Sequence, residues 1–235
     1  MGVPDVCAAA TVGRMASRNT FLPDDLIGYT TAHTTAPDDL VRSLAERTRA
    51  ETGGAAGMQV APEQATLLAL FTRLTGARRA IEVGTFTGLS SLSVARAMPA
   101  DGRILCLDVS AEFTAIAQEF WAKAGVQDKV ELRLGPALET LATLPQEPTY
   151  DVAFIDADKV NYAGYWDAIV PRMLPGGLIL VDNVLWAGRV LEPVTDTTDV
   201  DTAALVAFNE HVIADERVDS VMLAFADGLT MARKR

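Results

Sequence analysis

The sequence predicts an α/β fold, a single Rossmann-like doubly wound domain, on three observations. Short apolar runs alternate with amphipathic helical stretches from Arg79 to Val181. A glycine-bearing loop, Gly84-Thr85-Phe86-Thr87-Gly88, follows the first of those runs, and Asp227-Gly228 separates two strand-like runs near the end. Alternation of this length means a parallel sheet with helices on both faces. Asp-Gly between two strands is a hairpin signal, so a C-terminal antiparallel hairpin completes a mostly parallel, seven-stranded sheet.

Residues 1–24 lack steady periodicity and read as a flexible arm, with Met15 as an alternative start. Residues 25–235 read as one domain, of which 25–75 form a helical cover. Pro37 or Asp38 opens a helix running to Thr52, with Leu40, Val41, Leu44 and Ala45 at helical spacing. Gly53-Gly54 and Gly57 break the chain. Pro62 then opens a helix to Leu74 that buries Leu67, Leu68, Leu70 and Phe71. Strands follow at Arg79–Val83, Arg103–Leu107, Lys129–Leu134, Val152–Ile155 and Leu178–Val181. The helices between them are Leu89–Met98, Glu112–Ala124, Pro136–Leu144 and Tyr162–Met173. A helix over Ala203–Asp215 precedes the final strands, Val218–Ala226 and Leu229–Arg233.

With 235 residues, 49% apolar and 22% charged, the chain has enough apolar material for one sizeable core. A formal charge of −11 argues against a nucleic-acid backbone or an anionic membrane as the main partner. No apolar run approaches the ~20 residues of a membrane span. The small-residue patch Val6 to Val12 has no basic residue before it, so a signal peptide is not expected. Two cysteines make no disulfide framework. Cys106 reads as a small core residue and Cys7 as part of the arm, which suits a reducing cytoplasm.

The chemistry concentrates in two apolar strands that end in oxygen-bearing side chains. Phe154-Ile155 runs into Asp156-Ala157-Asp158-Lys159, and Leu178 to Val181 runs into Asp182-Asn183. Side by side and parallel, these strands bring Asp156, Asp182 and Asn183 to one sheet edge. Three such oxygens suit a hard cation that keeps several waters, which fits Mg²⁺ better than Zn²⁺. Lys159, one helical turn beyond Asp156, is close enough to take a proton. This describes a metal-assisted transfer site. Each residue also has a plainer reading: Asp156 and Asp182 as helix caps, Asn183 in a turn, Lys159 as a solvated charge.

Glu82-Val83-Gly84-Thr85-Phe86-Thr87-Gly88-Leu89-Ser90 lies where the first strand meets its helix. Glycines there let backbone N–H groups approach a ligand, and the helix N-terminus favours a carboxylate. The spacing is G-x-x-x-G and not the dinucleotide G-x-G-x-x-G, which makes it a poor pyrophosphate cradle. Asp108, at the end of the second strand, is placed to accept hydrogen bonds from ribose hydroxyls. His33 and His211 join no motif, and no serine–histidine pairing supports a hydrolase.

Ile81 to Ser90, Asp108, Asp156-Ala157-Asp158-Lys159 with Asn161-Tyr162, and Val181 to Gly188 together resemble the cation-dependent class I O-methyltransferases of the caffeoyl-CoA and catechol type. Gly57 to Gln64 and Asp227-Gly228-Leu229-Thr230 with Ala232-Arg233 extend the resemblance to residues 37–235. The resemblance implies S-adenosylmethionine in the loop site, with Gly84 in its loop. It gives the methionine carboxylate to Ser90 and the ribose hydroxyls to Asp108. Met58 to Val60 close over the methionine part, Glu82 is the acidic position of the same pocket, and Ala137 falls at the adenine end. Asp156 belongs to both the cofactor and metal sets. With Asp182 and Asn183 it matches the ligands of Mg²⁺, or of Ca²⁺ or Mn²⁺ in the same place, and Lys159 matches the base. Trp186 packs against the acceptor ring, with Tyr162 and Tyr165 as further candidates for that contact. A homodimer acting on a phenolic small molecule, of the kind found in bacterial natural-product pathways, follows by the same resemblance. The alternatives are an NAD-dependent oxidoreductase and a non-catalytic S-adenosylmethionine-binding protein.

Overall fold

The computed structural model describes residues 21–195 and 199–235. The expected arm therefore lies mostly outside the described residues, as does Cys7. At the start of the expected helical cover stands a helix, α1 (Asp24–Ala32), which no sequence signal marked. The helices α2 (Asp39–Thr52) and α3 (Pro62–Leu74) follow, joined by a 3₁₀ segment, Gly53–Met58. Asp38 caps α2 by accepting from the Val41 N–H, and Pro62 stands in the first turn of α3.

The alternating part contains β1 (Arg79–Val83), α4 (Leu89–Ala97), β2 (Arg103–Asp108), α5 (Ala111–Lys123), β3 (Val130–Leu134), α6 (Ala137–Thr143), β4 (Tyr150–Ile155), α7 (Tyr162–Ile169) and β5 (Met173–Asp182). Then come α8 (Val200–Ile213), β6 (Val218–Leu223) and β7 (Leu229–Lys234). These strands form one seven-stranded sheet in the order β3-β2-β1-β4-β5-β7-β6. All neighbours from β3 to β5 are parallel, and β7 is antiparallel to both β5 and β6. The predicted fold class holds.

Several boundaries depart from the sequence reading. The helix expected over Tyr162–Met173 stops at Ile169 and tightens into a 3₁₀ turn, Val170–Arg172. Pro171 has no N–H to continue it, and Met173 already belongs to β5. The strand expected to reach Ala226 ends at Leu223. The hairpin loop is thus residues 224–228 and not a bare Asp-Gly turn, with Ala226 and Gly228 both at positive φ. Finally, β7 inserts between β5 and β6, which leaves β6 at the edge.

Two buried clusters sandwich the sheet. On one face Leu44, Leu68, Leu92 and Phe120 of α2 to α5 pack on Ile104 and Phe154. On the other, Leu141, Trp166 and Phe208 of α6 to α8 pack on Ile81 and Ile179. The central strands are buried on both faces, as the apolar runs require. Cys106 is a core residue, and burial raises its thiol pKa well above the ordinary value. With both faces covered, the C-terminal edge of the parallel strands is where backbone and polar side chains open outward, and there the candidate site lies.

Candidate active site

A cavity of about 1090 Å³ opens at that edge. Its walls come from the β1–α4 loop, the ends of β2, β3, β4 and β5, and Gly57 to Val60 of the helical cover. Of the residues singled out in the sequence, Met58, Val60, Gly84, Ser90, Asp108, Ala137, Asp156, Lys159, Tyr165, Asn183 and Trp186 line it. Glu82, Tyr162 and Asp182 stand just behind the wall and are almost wholly buried.

The glycine loop is shaped by close approach. Gly84 has φ +89°, and a Cβ there would lie 1.9 Å from the Asp156 carbonyl oxygen, so only glycine lets the end of β1 pass over the end of β4. Asp108 braces the loop from β2. Its Oδ2 accepts from the Thr85 and Phe86 N–H groups at 2.8 Å, and its Oδ1 from the Ser110 N–H at 2.7 Å. Asp108 thus holds the loop in place, while the helix-capping role falls to Ser110, which accepts from the Phe113 N–H. Helix α4 has Gly88 at its N-cap and no side-chain cap, so its first-turn amides are open to an anion beside Ser90. Glu82 lies behind this loop with neither carboxylate oxygen hydrogen-bonded. Its pKa is pushed up to about 7, chiefly by burial, against the pull of nearby Ser90, Thr85 and Ser91.

At the other end, a chain of polar contacts joins β4 to β5. Lys159 Nζ donates to Asp156 Oδ1 at 3.1 Å, to the Ala157 carbonyl at 2.8 Å and to the Tyr162 hydroxyl at 2.6 Å. Tyr162 in turn donates to the Asp182 carbonyl at 3.1 Å. Lys159 is therefore a nitrogen held in place and only 8% exposed, not a solvated surface group. Tyr162 serves as a buried strut beneath the site and does not line the cavity.

Neither aspartate caps a helix. Asp182 Oδ1 accepts from the Asn183 N–H at 2.8 Å, and Oδ2 is buried without a partner. Burial first, and then the negative charge of Asp156, hold the Asp182 carboxyl well above the usual carboxylate range. A buried carboxylate with an orphan oxygen, facing a second carboxylate, is an arrangement that a bound cation relieves. Asn183, at φ +61°, turns its side chain to the same wall. The donor set is two carboxylates and an amide. Among the described residues no group of three or more His, Cys, Asp or Glu has a metal-holding arrangement.

A family model described as O-methyltransferase matches residues 31–235. The chain belongs to the O-methyltransferase family. It is 42% identical over 188 residues to tricin synthase 1 of Oryza sativa subsp. japonica, covering 75% of each chain. To the caffeoyl-CoA O-methyltransferase of Populus kitakamiensis it is 32% identical over 213 residues, covering 88% of this chain and 91% of that one. Among solved structures, an O-methyltransferase from Streptomyces achromogenes involved in tomaymycin synthesis, in complex with SAM, superposes with a TM-score of 0.80. It is 30% identical and covers 89% of this chain and 96% of that one. Membership displaces the dehydrogenase alternative.

In this O-methyltransferase the Val181 to Gly188 and Asp227-Gly228 motifs meet at the Lys159 end of the cavity, with a backbone geometry that the motifs alone did not show. Trp186 and Ala187 both adopt left-handed backbone, at φ +48° and +52°, and Gly188 follows at +85°. Such consecutive strain needs over-determination by its surroundings. The hairpin loop supplies it: Asp227 Oδ1 accepts from the Ala187 N–H at 2.6 Å, and the Asp227 and Gly228 carbonyls accept from Leu185 and Val184. The Trp186 ring lies 5.7 Å from Lys159 Nζ. Its indole N–H is buried without a partner. Tyr165 donates to Asp158, whose other oxygen accepts from Asn161. Across the cavity, Phe86 and Phe113 meet edge to face at 4.9 Å and form an aromatic wall at the β1–β2 end. Phe86 sits inside the glycine loop, at φ +50°, and that position was the one available hint.

Proposed function

We propose that this protein transfers a methyl group from S-adenosylmethionine to a hydroxyl of a vicinal-dihydroxy aromatic small molecule, with a divalent cation, Mg²⁺ or alternatively Ca²⁺ or Mn²⁺, at the acceptor end. The observation that carries this reading is the continuity of one cavity from the α4 N-terminus and Ser90 to Asp156, Lys159 and Asn183. The relative solved with SAM supports the cofactor.

S-adenosylmethionine supplies a methyl group on a sulfonium, open to in-line displacement. The open amides of α4 and Ser90 suit its carboxylate, and the Phe86–Phe113 wall offers an apolar face for a flat ring. Asp156 and Asn183, with Asp182 behind them, would hold the cation, which supplies charge that stabilises an ionised acceptor oxygen. Lys159 takes the acceptor's hydroxyl proton at Nζ, since a phenol of pKa near ~10 is mostly protonated at neutral pH. Trp186 packs on the acceptor ring and limits its orientation, and the buried wall excludes water. Lys159 is the one basic side chain among the described lining residues, against Asp108, Asp156, Asp158, Asp201 and Asp227. A neutral acceptor therefore suits the cavity better than a polyanionic ester.

The wider reading is a cytoplasmic homodimer in secondary metabolism, with neither nucleic acid nor membrane as partner. No helix among the described residues is long and apolar enough to cross a membrane. Helix α1 supports self-association, because none of its residues is buried and Leu26 and Tyr29 are exposed.

The test is transfer from labelled S-adenosylmethionine to a panel of vicinal-diol phenols with Mg²⁺, and again with EDTA. Transfer that vanishes with chelator and returns with Mg²⁺ is expected. Transfer that persists in EDTA overturns the cation's part. Saturable cofactor binding without transfer to any acceptor favours a non-catalytic binding protein.

A further inference from the structure

The cover over the cofactor end of the cavity is loosely built. Its 3₁₀ segment, Gly53–Met58, buries none of its residues, and a Cβ at Gly53, Gly54 or Gly57 would meet nothing within 4 Å. Met58 is 54% exposed although it lines the cavity. Packing alone holds such a segment weakly, since a stretch with few buried contacts opens at little cost. Val60 and Ala61 anchor its far end by burial. Just before them, at Gln59, a polar knot ties the cover to the body of the domain.

Gln59 Nε2 donates to Thr48 Oγ1 at 2.8 Å and to Thr87 Oγ1 at 2.9 Å, and the two hydroxyls are themselves 2.9 Å apart. The three groups belong to three parts of the fold: the cover, α2, and the glycine loop just ahead of α4. Thr48 and Thr87 are both buried. The single Thr48 hydroxyl proton goes to the Leu44 carbonyl, at 2.9 Å, or to Thr87. Either choice leaves the Thr48 oxygen to accept, so the amide faces it with Nε2 and not with Oε1. Without that amide the hydroxyls lose a donor inside the protein, where unpaired polar groups are costly.

We propose that Gln59 is a positioning residue, the latch that holds the Gly57–Val60 cover shut over the methionine part of S-adenosylmethionine. This rests on the cofactor reading given above. Gln59 and Thr87 both line the cavity, and Thr87 immediately precedes Gly88 and the open amides of α4. The latch therefore closes the cover onto the anion-binding end. An open cover leaves the site incomplete, so the apparent affinity scales with the fraction of protein that is shut.

The test uses the full-length protein, S-adenosylmethionine as the probe, and two variants. Gln59→Met keeps the length of the side chain and removes the donor. Thr48→Val breaks the same knot from a residue that does not line the cavity. Calorimetry should show binding weakened roughly 10-fold by Gln59→Met and roughly 3-fold by Thr48→Val, the scale of two lost hydrogen bonds and of one. In the cofactor-free protein, amide hydrogen exchange over residues 53–60 should quicken by similar factors, with exchange in β1 and β4 unchanged. A merely structural knot would instead lower the thermal midpoint of the cofactor-free variants and leave affinity and cover exchange alone, which overturns the latch. Weakened binding in Gln59→Met with normal binding in Thr48→Val means that Gln59 meets the cofactor directly, and overturns it too. Faster cover exchange with equal affinity in protein and variants overturns the positioning role while keeping the cofactor. No saturable binding by the unsubstituted protein overturns the cofactor reading and the proposal together. Should neither variant fold, the knot is structural and the proposal falls.

Discussion

At the scale of single residues, Lys159 is the group on which the proposed chemistry depends most. Its nitrogen is held by Asp156, the Ala157 carbonyl and the Tyr162 hydroxyl, so its position is set by the fold and not by the ligand. Lys159→Ala should cut turnover on a diol phenol by at least ~10²-fold, the usual scale for a lost acid–base group. Because Nζ lies at the acceptor end, calorimetric affinity for S-adenosylmethionine should be unchanged. Near-normal turnover in this variant would remove Lys159 from its role. The residues legible in the sequence were those ending an apolar strand: Asp156, Asp182 and Asn183 declare themselves because strand register alone delivers them to one edge. Tyr162 was legible as a candidate contact but not as the buried strut it forms. Tyr162 is buried by the edge-to-face contact with Phe208 of α8, at 5.4 Å, a long-range event that its local spacing does not encode.

Elements meet at the site through glycines. The contrast between Gly84 and Gly125 separates two costs that sequence alone merges. Both have positive φ, +89° and +67°, but a Cβ at Gly125 meets nothing within 4 Å whereas one at Gly84 meets the Asp156 carbonyl. Gly125→Ala should therefore cost only the backbone term, about 1 kcal/mol. Gly84→Ala must push β1 off β4 and should cost at least ~3 kcal/mol or prevent folding. Denaturant midpoints of the two variants check this, and equal losses would contradict it. Strand and helix limits were readable to within a few residues wherever apolar periodicity was strong. Helix α1 was missed because Gly28, Thr30 and Thr31 are weak helix formers and the helix buries no face, so it leaves no periodic stripe.

For the molecule as a whole, acid stability turns on the corner where α8 meets β6. The Arg217 guanidinium holds the Asp215 carboxyl far below its ordinary range, and the Trp166 indole N–H, donating at 2.8 Å, adds to this against the opposing effect of burial. A carboxyl whose folded pKa is depressed contributes stability that is present above its unfolded value, near ~3.9, and is lost as pH falls toward the folded one. Asp215→Asn should lower stability at pH 7 by about 1–3 kcal/mol. The gap between variant and parent should narrow as pH drops below ~4. Urea midpoints across pH 3–7 measure both, and equal midpoints at pH 7 would overturn the assignment.

The insertion of β7 between β5 and β6 has a consequence for biosynthesis. While the ribosome is still making residues 183–228, β5 has its parallel neighbour β4 on one side and an open edge on the other. That edge is an apolar strand ready to pair with another chain. The strand that shields it is made after every other strand of the sheet, so the nascent protein passes through an interval in which Asp182 and Asn183 hang on an unsealed border. Chaperone binding or premature pairing would be concentrated in that interval.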